Sequence, residues 1–595
     1  MRRLLGLAVA VALAATADAR TDAKPLALHG VIEGYYGRPW TGDARRDVIR
    51  FLGSHGLDTF VYAPKNDDYH RTRWRDPYPA AALADLRSTA AAARTAGVEV
   101  VYALSPVLDV CYSCGRDFRA LTKKLAQLGR IGVRRFALLF DDGGQIASDR
   151  DARRYGGRDR VALARAQADL IRRTDRWLRR RGLPGLGFIV PTEYAGTTCL
   201  PYHATLAAGL PKRLPIAWTG PGVFAETITA AMADAFAACL PGHDVVLWDN
   251  YPVNDTVVSN SLHLGPLIGR DPALPSRLAG YLLNPMTQAH ASLVALGTAA
   301  AYLAAPATYD PETAWAATLA ELDPGHESLG VVAQQLRSSA LDLRDARALT
   351  AILDGVVAGY PTSSWWVAVD ALAAEETSEA TAAADVEQRL GGTALGTEIA
   401  PWVAELARHA TRGADAVRLL RALRPDVAGL VATPSPGMLR VQGRVTGPDP
   451  ALAALLGPDF AAEAAMIAAR IATPPFGAYL RCLGPLTSAD IHFCPQFGLN
   501  VHGKQLYVLI RTATDIALIT DRNVHDALVR QVAAAWTAWS AGRSDAANVV
   551  SATLDGTPIA LGGDGGFDVT VPTATGRATL ALGTAGGETT VRLVP

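Results

Sequence analysis

RRFALLFDDGG, residues 134–144, reads as a buried strand that stops at a chemical edge. Phe136 to Phe140 form an unbroken apolar run, and the chain then passes directly to two carboxylates, Asp141 and Asp142, and two glycines. A short apolar run closed by a turn signal fits a strand covered on both faces, the kind that builds parallel sheets. Working outward, the pattern recurs in LHGVIEG (28–34), DTFVYAP (58–64), VEVVYALSP (98–106), LGFIVPTEY (186–194), PIAWTGPG (215–222), DVVLWDNYP (244–252) and GYLLNP (280–285). Between these runs lie Ala/Leu/Arg-rich segments of helical composition that end at glycine, as helices often do, such as DARRDVIRFLGSHG (43–56) and VALARAQADLIRRTDRWLRRRG (161–182). Strand-helix units repeated over about 260 residues match the size and alternation of a parallel (β/α)8 barrel. The expected fold class is α/β, with a (β/α)8 TIM barrel over residues 25–308.

Polar groups gather where these runs end: Glu33-Gly34-Tyr35-Tyr36, Lys65-Asn66-Asp67-Asp68, Asp141-Asp142, Glu193-Tyr194, Trp218-Thr219, Trp248-Asp249-Asn250 and Asn284. The C-terminal ends of barrel strands open onto one face, where active sites sit, so residues far apart in sequence converge on one cavity. Adjacent carboxylates do not both ionise cheaply, so the two are expected to separate, one ionised and one holding a proton near neutrality, as an acid/base hydrolase needs. The aromatics Tyr36, Tyr194, Trp218 and Trp248, interspersed with Asn250, Asp255 and Asn284, suit a sugar, which offers C–H faces and hydroxyls. Lys65 has two readings, a ligand to that sugar or a member of a surface ion-pair network. No HExxH helix, P-loop or Gly-x-Ser-x-Gly elbow is present, which removes the usual metalloprotease, nucleotide and serine-hydrolase readings.

The rest of the 595-residue chain bounds the setting. Lys+Arg and Asp+Glu balance at 57 each, so no basic field exists to hold phosphates and a nucleic-acid partner is not expected. A 49% hydrophobic composition excludes global disorder. Residues 1–19, MRRLLGLAVAVALAATADA, read as a secretory signal peptide, which predicts a secreted, periplasmic or cell-surface protein with no membrane span. Export permits disulfides, and Cys111/Cys114, Cys199/Cys239 and Cys482/Cys494 are the pairs that proximity suggests, although six cysteines allow fifteen connectivities. A zinc site at Cys111-x-x-Cys114 is the rival reading, without a second such pair or a His pair to complete it. Long Ala/Leu/Glu/Arg stretches predict a helical domain over 309–430, with Trp365, Trp366 and Trp402 as packing anchors, and Pro425, Pro434 and Pro436 mark its end. A C-terminal α+β region of unknown role is expected over 431–595, with helices at 450–472 and 526–541, a β-rich stretch at 478–520 and a tail of short strands.

At its strand ends the sequence resembles glycoside hydrolase family 84. The motifs are GVIEGYYGRPW (30–40), YAPKNDDYHR (62–71), FALLFDD (136–142), PTEY (191–194), WTGPGV (218–223), LWDNYPVND (247–255) and LNPM (283–286), with a weaker continuation in YDPETAW (309–315). The resemblance implies a retaining β-N-acetylglucosaminidase acting on a glycan or glycoconjugate that contains N-acetylglucosamine, and with the signal peptide the reading is an exported enzyme with no cofactor or metal. It implies that Asp141 holds the substrate's 2-acetamido N–H, whose carbonyl oxygen attacks the anomeric carbon to give an oxazoline. Asp142 then protonates the departing oxygen and later deprotonates water, a substrate-assisted exception to the two-carboxylate scheme. Tyr194 would hydrogen-bond the acetamido oxygen, while Lys65, Gly34 and Asn284 hold ring hydroxyls. Asn250 and Asp255 would take the hydroxyls at the non-reducing end, and Trp248 with Tyr36 would line the acetamido pocket. Asp249 stands where relatives often carry an aromatic, which predicts a more polar wall between Trp248 and Asn250. The alternatives are endo-cleavage of hyaluronan or a related polymer, and a sugar-binding protein whose barrel no longer turns over.

Overall fold

The computed structural model describes residues 27–255, 262–337, 339, 341, 351–352, 364–422, 426–435, 438–446, 549–554, 556–560, 566–572, 578–584 and 587–593. Eight parallel strands, β1 (Leu28–Glu33), β2 (Thr59–Tyr62), β3 (Glu99–Leu104), β4 (Arg135–Leu139), β5 (Leu186–Val190), β6 (Ile216–Trp218), β7 (Val245–Asp249) and β8 (Gly280–Leu283), each pair with the next. The ring closes where β8 meets β1, with Gly280 beside Leu28 and Leu283 beside Val31. Side chains alternate in and out along each strand. Ile32, Val61, Ala137, Leu139, Val190, Ala217, Val246 and Leu282 fill the barrel. Their neighbours Val31, Phe60, Phe136, Leu138, Ile189, Trp218, Leu247 and Tyr281 pack outward under the helices. Both faces are thus buried, which is why the runs read as continuously apolar.

The surrounding helices are α1 (Gly42–Ser54), α2 (Ala80–Thr95), α3 (Gly115–Gly129), α4 (Asp149–Tyr155), α5 (Arg160–Arg179), α6 (Pro201–Gly209), α7 (Ala230–Ala238) and α8 (Ser292–Ala304). Side-chain caps open several of them: Thr41 accepts from Ala44 N, Ser148 from Asp151 N, Asp159 from Ala162 N and Thr229 from Met232 N. The alternation fails once. Among the described residues between β7 and β8 only a 3₁₀ turn, Leu274–Arg277, forms. Pro252, Pro266, Pro272 and Pro275 in that connection each lack the N–H that a helix interior requires. Disulfides join Cys111 to Cys114 and Cys199 to Cys239.

Beyond the barrel come α9 (Pro311–Leu322), α10 (Ser328–Gln335), α11 (Ser364–Leu390) and α12 (Ala394–Ala422). Leu319, Val332, Val386, Ile399, Trp402 and Leu406 share one core with Leu264, Met286 and Val294 of the barrel side. The helical pattern ends at Ala422 and β9 (Asp426–Ser435) begins soon after, ahead of the expected boundary at 430. Pro425, read above as one of the marks of the end of the helical stretch, lies between the two elements. β9 and β10 (Met438–Thr446) form a sheet with β13 (Gly566–Pro572), and β11 (Val549–Leu554), β12 (Thr557–Pro558), β14 (Ala578–Thr584) and β15 (Gly587–Leu593) form another. The readings made for residues 1–19, 450–472, 478–520, 526–541 and Cys482/Cys494, and for the side chains of Trp365 and Trp366, fall outside the described residues. No helix among the described residues is long and apolar enough to cross a membrane.

Candidate active site

The barrel's own alternation builds the site. Continuing each inward face one step past the strand places Gly34 after Ile32, Asp141 after Leu139, Thr219 after Ala217, Asn250 after Trp248 and Asn284 after Leu282; two steps past Val61 give Lys65. All of these line one cavity of about 360 Å³ at the C-terminal mouth, together with Tyr36, Asp142, Val190, Tyr194, Val223, Phe224, Trp248 and Asp255. The residues to which the sequence assigned catalytic or sugar-binding roles line this space, whereas Trp218, expected among the aromatics, does not.

The two carboxylates reach it by different routes. Asp141 follows the inward face and is 5% exposed. Its Oδ2 is paired with Lys65 Nζ, whereas its Oδ1 is buried with no hydrogen-bond partner among the described residues. Asp142 should point outward by the same alternation, but its φ of 52° lies in the left-handed region and turns the side chain back. Tyr194 Oη donates to its Oδ1 at 2.8 Å and Tyr36 Oη to its Oδ2 at 2.9 Å. Lys65 Nζ stands 3.9 Å from Asp142 Oδ2 and 5.3 Å from the Trp248 ring centroid.

The opposite wall is an amide relay. Asn250 Oδ1 accepts from Trp248 Nε1 and from Asn284 Nδ2, each at 2.9 Å, while its Nδ2 donates to the Val223 carbonyl at 2.7 Å. Asn284 Oδ1 accepts from Gly34 N at 3.2 Å. Two donors on one oxygen fix the orientation of the Asn250 amide. A Cβ at Gly34 would lie 2.3 Å from Trp248 Cζ2, so the indole closes directly over bare backbone. Asp255 Oδ2 accepts from Tyr36 N at 2.7 Å and joins the first loop to the seventh.

Electrostatics distinguish these acids. Burial pushes the Asp142 carboxyl up, but the Lys65 charge, the Tyr194 and Tyr36 hydroxyls and the Arg71 charge together outweigh it and hold the group below the ordinary carboxylate value. The expectation that one of the adjacent pair rests protonated near neutrality is therefore not met at Asp142, where the surrounding donors favour the charged form. The raised acid is Asp255, which burial lifts to about 6 against the opposing hydrogen bond from Tyr36 N. Burial first, and then the charge of Asp142, push the Tyr36 and Tyr194 phenols far above their usual range, so both remain donors.

Other strand-end groups are turned away by the same alternation. Trp218 is fully buried in the outer layer, stacked on Phe236 with centroids 5.4 Å apart, and does not join the aromatics that line the cavity. Asp249 likewise points outward, where Arg270 pairs with both its oxygens at 2.7 and 2.8 Å and Tyr281 with its Oδ2 at 2.5 Å. The wall beside Trp248 is therefore not made more polar by Asp249. Glu33 pairs with Arg45 beneath α1. Sequence reasoning missed Val223, Phe224 and Arg71 as neighbours of the cavity. They sit in loops with no period to mark them, whereas Thr219, named with the strand ends, falls two residues past Ala217.

Residues 29–334 match the family described as beta-N-acetylglucosaminidase. The protein O-GlcNAcases of Rattus norvegicus and Mus musculus are each 35% identical over 283 residues, which is 46% of this chain and 30% of theirs. The chain thus spans less than a third of the length of those curated relatives. Among solved structures, a mutant O-GlcNAc hydrolase of Thermobaculum terrenum aligns with a TM-score of 0.63 at 30% identity, covering 67% of this chain and 85% of that one. CpGH84B aligns with a TM-score of 0.60 at 26% identity, covering 67% and 70% respectively.

Proposed function

The chain belongs to the β-N-acetylglucosaminidase family, and from that membership and the chemistry of its cavity we propose that it is a retaining glycoside hydrolase that removes terminal β-linked N-acetylglucosamine with the substrate's own acetamido group as nucleophile. The observation that carries this reading is Asp141 Oδ1, a buried carboxylate oxygen with no partner among the described residues, beside an Oδ2 already taken by Lys65. A buried acceptor left unpaired is unfavourable, and an amide N–H supplied by the ligand would satisfy it. Held there, the acetamido group presents its carbonyl oxygen to the anomeric carbon. The oxygen attacks, the bond to the leaving oxygen breaks as Asp142 gives that oxygen a proton, and the oxazolinium ring so formed keeps its N–H against the Asp141 carboxylate, which balances its charge. Water then opens the oxazolinium ring at the anomeric carbon as Asp142 takes the water's proton, so two inversions give net retention.

A single hydroxyl proton links binding to acidity. Tyr194 Oη donates its one proton to Asp142, and that proton cannot be given fully to a second acceptor at the same time. If the acetamido oxygen takes it, Asp142 loses one of the donors that keep it ionised and is further desolvated by the sugar, so its proton affinity rises where the acid role needs it. The neutral amides of Asn250 and Asn284 and the carboxylate of Asp255 supply hydroxyl partners on the far side. We also read residues 1–19 as an export signal, and the two disulfides support an oxidising compartment.

The test is proton NMR of an aryl β-N-acetylglucosaminide during turnover. The β-anomer of N-acetylglucosamine should be the first product, and the matching aryl β-glucoside should be essentially inert. First appearance of the α-anomer, or comparable turnover of the glucoside, would overturn the proposal.

A further inference from the structure

Asp142 is presented to the cavity because its backbone is left-handed, a conformation that few L-residues adopt and that Asp tolerates better than most. Arg71, in the loop after β2, is the group that grips this turn. Its Nη2 donates to the Asp142 main-chain carbonyl at 3.0 Å and its Nη1 to Tyr36 Oη at 2.8 Å, and that phenol in turn donates to Asp142 Oδ2. The guanidinium carbon lies 5.5 Å from the Tyr36 ring centroid, and Arg71 as a whole is 5% exposed. Among the described residues its side-chain hydrogen bonds end on uncharged oxygens, a carbonyl and a phenol, so this buried cation is not spent on a salt bridge of its own.

We infer that Arg71 is a positioning residue of the reaction, whose forked guanidinium ties the left-handed Asp142 turn to Tyr36 and so fixes the direction in which the Asp142 carboxyl meets the departing oxygen. The inference rests on the acid role proposed above for Asp142. The geometry demands a fork: one nitrogen orients the peptide carbonyl that defines the turn, the other orients the phenol that holds the carboxylate, and both ends move together. A lysine ammonium at this position keeps the charge but is a point donor on a flexible stem, without the rigid planar fork that spans both acceptors.

The test compares wild type with Arg71→Lys on two substrates, an alkyl β-N-acetylglucosaminide, whose leaving oxygen needs a proton, and a dinitrophenyl β-N-acetylglucosaminide, whose leaving oxygen does not. Misdirection of the acid should lower kcat on the alkyl substrate about 100-fold, with a much smaller loss on the dinitrophenyl substrate and little change in KM. Equal losses on both substrates, or wild-type behaviour of the variant, would overturn the inference. Should thermal denaturation show Arg71→Lys to be unfolded, Arg71→Gln carries the same expectations. Wild-type inactivity on both substrates would instead remove the functional proposal, and this inference with it.

Discussion

Asp255 accepts the main-chain N–H of Tyr36, lies buried at 7% exposure, and has its carboxyl lifted to about 6, chiefly by that burial. The sign of the consequence follows from linkage. A carboxyl raised in the folded protein favours folding below its unfolded value near 4 and loses that contribution as pH rises through about 6. At pH 8 the buried charge therefore opposes folding. Asp255→Asn, neutral throughout and still able to accept from Tyr36 N, should be more stable than wild type at pH 8, by up to about 3 kcal/mol, the equivalent of that displacement. The difference should fade toward pH 4, and thermal denaturation at the two pH values checks it. Activity should move the other way. In its proposed role as a partner for sugar hydroxyls the charged form is the better acceptor, so wild-type KM should rise as pH falls through about 6, and Asp255→Asn should show a high KM, about tenfold or more above wild type, without that step.

Strands make the site legible, and loops hide parts of it. In-out alternation carries Gly34, Lys65, Asp141, Asn250 and Asn284 into one mouth, and the strand-end residues could be picked out because they are polar where a core residue would be apolar. The same alternation, applied strictly, would have sent Trp218 and Asp249 outward, where the structure has them. Asp142 breaks the period through its own backbone, so no count in twos predicts its direction. Among the described residues between β7 and β8 no α-helix forms, in keeping with four prolines there, while the grip of Arg71 on Asp142 spans 71 residues and leaves no local mark. At this scale Gly34 is the sharpest test. A Cβ there must displace the Trp248 indole from 2.3 Å, and that indole is tied through Asn250 to Asn284. Gly34→Ala should stay folded, because the obstacle is a side chain and not backbone, yet lose about 100-fold in kcat/KM. Unchanged kinetics would show that the indole wall does not set the substrate's position.

Across the whole molecule, the barrel and the helices after it are fastened next to the site. His290, six residues past Asn284, lies between Asp47 of α1 and Glu398 of α12, with Nε2 3.1 Å from Asp47 Oδ2 and Nδ1 2.9 Å from Glu398 Oε1. Glu398 Oε2 also accepts the main-chain N–H groups of His290 and Ala291. The loop that presents Asn284 is thus braced by helices from both regions, which ties the cavity's far wall to the shared core around Val294 and Ile399. All of this framework serves one claim, that a carboxylate pair works on a sugar that brings its own nucleophile. The most direct measurement replaces the acetamido methyl hydrogens of an aryl N-acetylglucosaminide stepwise by fluorine, which weakens the carbonyl oxygen as a nucleophile while changing the sugar's size little. The account predicts that kcat/KM falls steeply with each fluorine, by about tenfold or more per step. A rate that stays flat across the series would show that the attacking atom belongs to the protein or to water, and would contradict the mechanism.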